Sequence, residues 1–223
     1  MAVQTGEGVI EIIYGSTSIP AGASNLGSYL ARPDGEGEWP TVLLFGPEPV
    51  PLSSVKNLCR VLARHGIAAV APHMTENHGA NAVAASQVAA FISDPAGSWS
   101  NAQFGFGVLA FGAGIHDAST LAARDGRVVA FASVAGTLDE AVVDALSVAG
   151  IVGLWVGSRA DDSTDVEMSV GAKDALPQTT FVIHSDAAAG FWDDGAEGFD
   201  DDIATDTFDR VIEFFSAELP PRV

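Results

Sequence analysis

Gly107 to Ile115 reads GVLAFGAGI. An unbroken apolar run enters a glycine–alanine–glycine turn, and Ile115 opens a segment with helical spacing. This is the pattern of a strand-to-helix elbow, in which the side chain at the middle of the turn stands clear of a sheet. The middle residue is Gly112, with Ala110 and Gly114 at the outer positions. Glycine adopts the left-handed backbone of such a turn without steric cost. It also leaves the position without an atom that could attack a substrate.

Working outward, apolar segments recur along the chain: TVLLF (41–45), IAAVA (67–71), FGVLAF (106–111), VVAFAS (128–133), GIVGLWV (150–156) and TTFVIH (179–184). They are continuous rather than alternating, as strands covered on both faces are. Helical stripes lie between and after them. Val55, Leu58, Cys59 and Leu62 share one face, as do Phe208, Val211, Ile212 and Phe215, with Leu219 completing that stripe. Strands alternating with helices predict an α/β fold of three layers, a mainly parallel sheet of about eight strands with helices on both faces. Two early segments, GVIEIIY (8–14) and NLGSYLARP (25–33), precede any helix and predict an antiparallel hairpin at one sheet edge. No internal repeat or linker interrupts the chain, so residues 1–223 read as a single domain.

Composition narrows the function classes. A chain of 223 residues that is 48% hydrophobic can bury a sizeable core. It has no apolar run long enough to span a bilayer. Its first residues, MAVQTGEGVIEI, lack a basic region followed by an apolar one, so no secretory signal is read there. One cysteine precludes an intrachain disulfide, and a cytoplasmic location is expected. The net charge of −19 argues against nucleic acid and anionic membrane as partners. Lys56 and Lys173 are the only lysines. That composition fits a salt-adapted protein or a GC-rich genome, and the sequence leaves the two open. The densest charge run, DDGAEGFDDD (193–202), predicts an acidic loop before the last helix, with Asp206 near that helix's N-terminus.

Several longer stretches share an order: YLARPDGEGEWPTVLLF, LCRVLARHGIAAVAPHM, GVLAFGAGIHDASTLAARDGRVVAFASVAG, IVGLWVGSRADD and FVIHSDAAAGFW. In this order and spacing, from about residue 8 to 218, the chain resembles the α/β-hydrolase fold and, within it, the dienelactone hydrolase family. The resemblance implies a cysteine nucleophile in a G-x-C-x-G turn, assisted by an aspartate and a histidine. The nucleophile position falls on Gly112. The acid position falls on Ala160, with the adjacent Asp161 and Asp162 available if the loop is shifted; both read as solvated loop acids. The histidine position falls on Ala189, followed by Gly190 and Phe191. His184, at the end of the preceding strand, is a possible substitute but reads as structural. Of the two backbone donors of an oxyanion hole, one falls on Pro47, which has no N–H, or on Glu48, whose carboxylate repels an oxyanion. The other falls on Ala113. Trp192, beside Phe191, is expected to line the same cleft.

Loss of nucleophile, histidine and one oxyanion donor leaves little of the family's chemistry, because removing a triad member alone costs up to about a million-fold in rate. The expectation is a non-catalytic protein that uses the inherited cleft or surface to bind a small molecule or a protein subunit. The alternative is an ester or lactone hydrolase with rebuilt machinery. No cofactor is expected. GAGIHD lacks the third glycine of a dinucleotide loop, which is Asp117 here. His73, His78, His184, Asp161 and Asp186 sit near strand ends but lack metal-ligand spacing. Cys59 lies on a core stripe, and Ser119 is too far along its helix to replace Gly112.

Overall fold

The computed structural model describes residues 8–21, 24–75, 78–97 and 99–223. Among these residues eight strands form one sheet: β1 (Ile12–Ala21), β2 (Ser24–Pro33), β3 (Thr41–Phe45), β4 (Ala68–Pro72), β5 (Phe106–Phe111), β6 (Val128–Val134), β7 (Val152–Ser158) and β8 (Thr179–His184). Their order is β1-β2-β4-β3-β5-β6-β7-β8. From β4 to β8 every neighbouring pair is parallel. The hairpin β1–β2 closes one edge, joined antiparallel to β4.

Among the described residues six α-helices cover the sheet: α1 (Ser53–Arg64), α2 (His78–Ile92), α3 (Ile115–Arg124), α4 (Glu140–Ala149), α5 (Val166–Gly171) and α6 (Asp201–Glu218). Alternate residues of the central strands enter two separate cores. Leu44, Leu109, Val134 and Val156 pack with Leu58 and Leu62 of α1 and with Val211 and Phe215 of α6. Leu43, Val108, Phe131 and Trp155 pack with Val88 of α2, Leu121 of α3 and Val142 of α4. Three layers result, and the loops that follow the parallel strands gather at the C-terminal ends of those strands, where such folds build their sites.

Several expectations shift. The first strand begins at Ile12 and runs through the polar GSTSIPA to Ala21. Residues 8–10 lie instead along the end of α1, where Ile10 N–H donates to the Arg64 carbonyl. Strand 67–71 likewise moves by one residue, to Ala68–Pro72. The last helix starts at Asp201, capped by Asp200, whose side chain accepts from Ile203 N–H. The acids that meet its N-terminal dipole are therefore Asp201 and Asp202. Asp206 lies beyond the first turn and pairs with Arg210 one turn on.

Candidate functional site

The elbow exists in the backbone. β5 ends at Phe111, residues Gly112–Gly114 make one 3₁₀ turn, and α3 begins at Ile115. Gly112 has φ +49°, the left-handed region that a side chain enters only with strain. Gly114 is held by size instead. A Cβ there would lie 2.5 Å from the Phe45 carbonyl oxygen and 2.6 Å from that of Gly46. The turn is thus pressed against the end of β3. Gly112 itself has room, since a Cβ would meet only the Cβ of Pro47 at 3.4 Å and the Ala135 carbonyl oxygen at 4.0 Å. The position can carry a side chain pointing between the loops after β3 and β6, and carries none.

The positions around it fall as follows. Pro47 lies beside Gly112 and has no N–H to offer an oxyanion. Glu48 is exposed, as is Ala113 in the 3₁₀ turn. Ala160 is exposed, with its N–H donating to Ser158 Oγ. Asp161 departs from expectation. It is only 2% exposed, whereas Asp162 is exposed. The Asp161 carboxylate accepts from Ser163 N–H at 2.9 Å and from the Ser163 hydroxyl at 2.5 Å. The Thr164 hydroxyl lies 3.1 Å from its other oxygen. The loop DDST folds around its own carboxylate, and this satisfies a charge that would otherwise be costly to bury.

Ala189, which the resemblance puts at the histidine position, is half-buried, and its carbonyl packs closely on Gly198. Phe191 and Trp192 are buried, and Trp192 lies against Phe111 with ring centroids 4.4 Å apart. They serve as packing under the loop after β8 and belong to the core shared with α1 and α6. His184 is half-buried. Its Nε2 is 3.2 Å from the hydroxyl of Thr207 on α6, and its ring meets Phe191 edge-on. Burial lowers its pKa below the ordinary histidine value; Asp206 opposes this and Arg210 adds to it. The imidazole is therefore held neutral near pH 7 and engaged with α6.

Three features here had no signal in the sequence. Ala135, just past β6, is the one non-glycine among the described residues with positive φ, at +54°. Its N–H donates to the Val156 carbonyl and its own carbonyl accepts from Thr164. The loop facing Gly112 is thereby fastened to the Asp161 loop. Trp155 Nε1–H donates to the Gly136 carbonyl at 2.7 Å, which fixes the same loop from below. On the other side Asn81 of α2 donates to Asp117 of α3 at 2.7 Å and to the Thr75 carbonyl at 2.8 Å. It also accepts from Thr75 N–H. The segment after β4 is thus tied to the first turn of α3, and Asp117 is used in that tie.

The remaining polar candidates lie apart from the elbow. Cys59 is fully buried, and burial pushes its thiol up to about 12. Ser119 is buried and donates to the His116 carbonyl. His73 packs on Gly27 of β2, and Asp186 is exposed. The side chain of His78 lies outside the described residues. Among those residues no three His, Cys, Asp or Glu side chains group closely enough to hold a metal ion. No helix among them is long and apolar enough to cross a membrane.

No protein-family description and no curated protein matches the sequence. Solved structures do match the fold. A protein from Klebsiella pneumoniae assigned as a dienelactone hydrolase superposes with a TM-score of 0.81 at 20% identity, covering 93% of this chain and 99% of that one. The dienelactone hydrolase of Anabaena variabilis gives 0.76 at 19% identity, covering 94% and 99%. A dienelactone hydrolase-like promiscuous phosphotriesterase from metagenomic libraries gives 0.77 at 15% identity, again covering 94% and 99%. The chain has the α/β-hydrolase fold in the form seen in dienelactone hydrolases.

Proposed function

We propose that this protein is a non-hydrolytic relative in fold of the dienelactone hydrolases, one that binds a small molecule or a protein subunit rather than cleaving an ester or lactone. One observation carries the reading. The elbow keeps its left-handed turn at Gly112 and its tight seat at Gly114 on β3, with space for a side chain, yet has no reactive atom. Ala189 in place of a histidine and Pro47 in place of an N–H donor point the same way. Hydrolysis by rebuilt machinery would need a base free to activate water. His184 Nε2 faces Thr207, and the Asp161 carboxylate accepts from its own loop. Both arrangements weigh against that alternative.

The test is direct. Purified protein given dienelactone or p-nitrophenyl acetate should show no turnover above buffer, and mass spectrometry should find no acyl adduct. Saturable turnover that survives repurification and falls with His184→Ala or Asp161→Asn would replace this reading with the hydrolytic one.

A further inference from the structure

The sheet edge formed by β1 is separated from the elbow strand β5 by β2, β4 and β3. β1 pairs with β2 from Ile12 to Ala21 in one register without a bulge. Asp34 N–H donates to the Glu11 carbonyl. Alternation along this antiparallel pair therefore turns the N–H and C=O groups of the odd-numbered residues toward β2. Those of Ile12, Tyr14, Ser16 and Ser18 point outward. Pro33, opposite Ile12, and Pro20 fit the same alternation, since neither has an N–H to give. Among the described residues no side chain or loop takes up these four outward N–H groups. Edge strands are normally kept from pairing by charge, proline, a bulge or shortness. From Ile12 to Ser18, β1 has none of these guards.

The helix beside this edge is uncharged as well. Ile19 of β1 shares a core with Ala85, Val88, Ala89 and Ile92 of α2. On the outer side of α2, Val83 is 57% exposed, and Ala90 and Phe91 are exposed beside Ser86. α2 thus lacks the charged face of an ordinary surface helix. On β1, Ile13 and Tyr14 are exposed on opposite faces, Ile13 on the side that carries α2. Neither β1 nor α2 holds any of the chain's 29 Asp and Glu or 10 Lys and Arg residues. This corner offers no charge to a basic partner, which a net charge of −19 would draw elsewhere on the surface. It suits a partner that presents the same uncharged edge, and a second copy of this chain does so.

We infer that the chain forms a two-fold dimer by antiparallel pairing of β1 with β1 of a second copy, with both α2 helices on one side of the joint. Antiparallel self-pairing is isologous and closes on itself. With the register centred on Gly15, Ile12 of one copy meets Ser18 of the other, and Tyr14 meets Ser16. Every outward N–H and C=O of these four residues then has a partner, and the two sheets become one. A two-fold axis normal to the sheet keeps α2 and Ile13 of both copies on the same side of it. The dimer does not rest on what the elbow binds or fails to cleave.

Sedimentation equilibrium on the full chain, from about 1 to about 200 μM, measures the pairing. A reversible species of twice the monomer mass is expected, with a Kd on the order of 10 μM. Two copies at −19 repel each other, so Kd should fall several-fold as NaCl rises from about 0.02 to about 0.2 M. Ser16→Pro removes an outward N–H while leaving the bonds to β2, and should weaken the dimer about ten-fold or more. Ser16→Ala keeps that N–H and should not. Ile13→Glu faces Arg32 across β1 and β2 and sets an acid beside the joint in each copy. It should weaken the dimer by a similar factor, and it decides the matter if Ser16→Pro does not fold. Hydrogen exchange in segment 12–18 should slow as concentration rises. A monomer throughout the range in 0.2 M NaCl would overturn the proposal. So would a dimer left intact by folded Ser16→Pro or Ile13→Glu, one that loosens as salt is added, or concentration-dependent protection that spares β1.

Discussion

Two glycines two residues apart should respond very differently to substitution, and the difference tests whether the elbow is read correctly. At Gly112 the added atoms have room, because the nearest neighbour of a Cβ is that of Pro47 at 3.4 Å. The cost is that of a left-handed backbone at φ +49°, about 1–2 kcal/mol for an L-residue. At two to four degrees per kcal/mol for a chain of this length, Gly112→Cys should lower Tm by roughly 2–8 °C. At Gly114 the obstacle is backbone that cannot rotate away, two carbonyl oxygens at 2.5 and 2.6 Å from the new Cβ. Gly114→Ala must push α3 off the end of β3 and should cost more than about 4 kcal/mol, a large part of a typical domain's stability. Thermal and urea unfolding followed by circular dichroism measure both. Gly112→Cys carries a second readout. The natural chain's single cysteine, Cys59, is fully buried with its thiol raised to about 12. A thiol reagent on the folded variant therefore reports the introduced sulfur, which lies at the N-terminus of a helical turn that favours thiolate. Equal destabilisation by the two substitutions, or a thiol at 112 that stays unreactive in the folded protein, would refute the elbow.

Acid stability should carry a contribution from His184. Its folded pKa lies below the unfolded value, so the folded state binds the proton less readily. The neutral side chain costs nothing above about pH 6.5, and stability is lost as pH falls below that toward the lowered folded value. His184→Gln should flatten the slope of unfolding free energy between pH 6.5 and 5, before the carboxylates titrate, and an unchanged slope would dismiss the histidine as its source. The charge of −19 on 223 residues should make Tm rise as NaCl is added to a low-salt buffer. Screening reaches ~10 Å at 0.1 M, so a gain that stops early fits simple self-repulsion and a GC-rich genome. A gain that continues into molar salt fits adaptation to brine, and a flat or falling Tm would contradict both.

What could be read from the sequence depended on whether side chains or backbone define an element. The segments 41–45, 106–111 and 179–184 match strands β3, β5 and β8 residue for residue, because each is an apolar run ended by turn residues. The first strand was misplaced because GSTSIPA has no apolar period. It is held to β2 by main-chain pairing along an edge, to which composition is nearly blind. The burial of Asp161 was hidden for a related reason. DDST is polar throughout, and only the loop's folding around its first or second acid, through Ser163 and Thr164, separates a buried carboxylate from an exposed one. Ala135 carried no mark at all, since nothing in an alanine announces positive φ. The partner of His184 is Thr207, on another element, although the strand-end position had already read as structural.

A strand-to-helix elbow separates what the backbone requires from what chemistry requires. A nucleophile elbow asks two things of its sequence. The turn must tolerate left-handed φ at its centre and close approach of another strand at its last residue, and the central side chain must carry a reactive atom. Gly114 meets the second backbone demand through contacts with β3 that permit no Cβ. Gly112 meets the first better than any reactive residue could, since cysteine or serine there pays the strain that glycine avoids. Glycine at the centre avoids that strain and leaves the β5–α3 junction in place. The surrounding ties from Ala135 to Thr164, from Trp155 to Gly136 and from Asn81 to Asp117 hold the loops whether or not anything reacts between them. The frame around position 112 therefore does not depend on which side chain stands there.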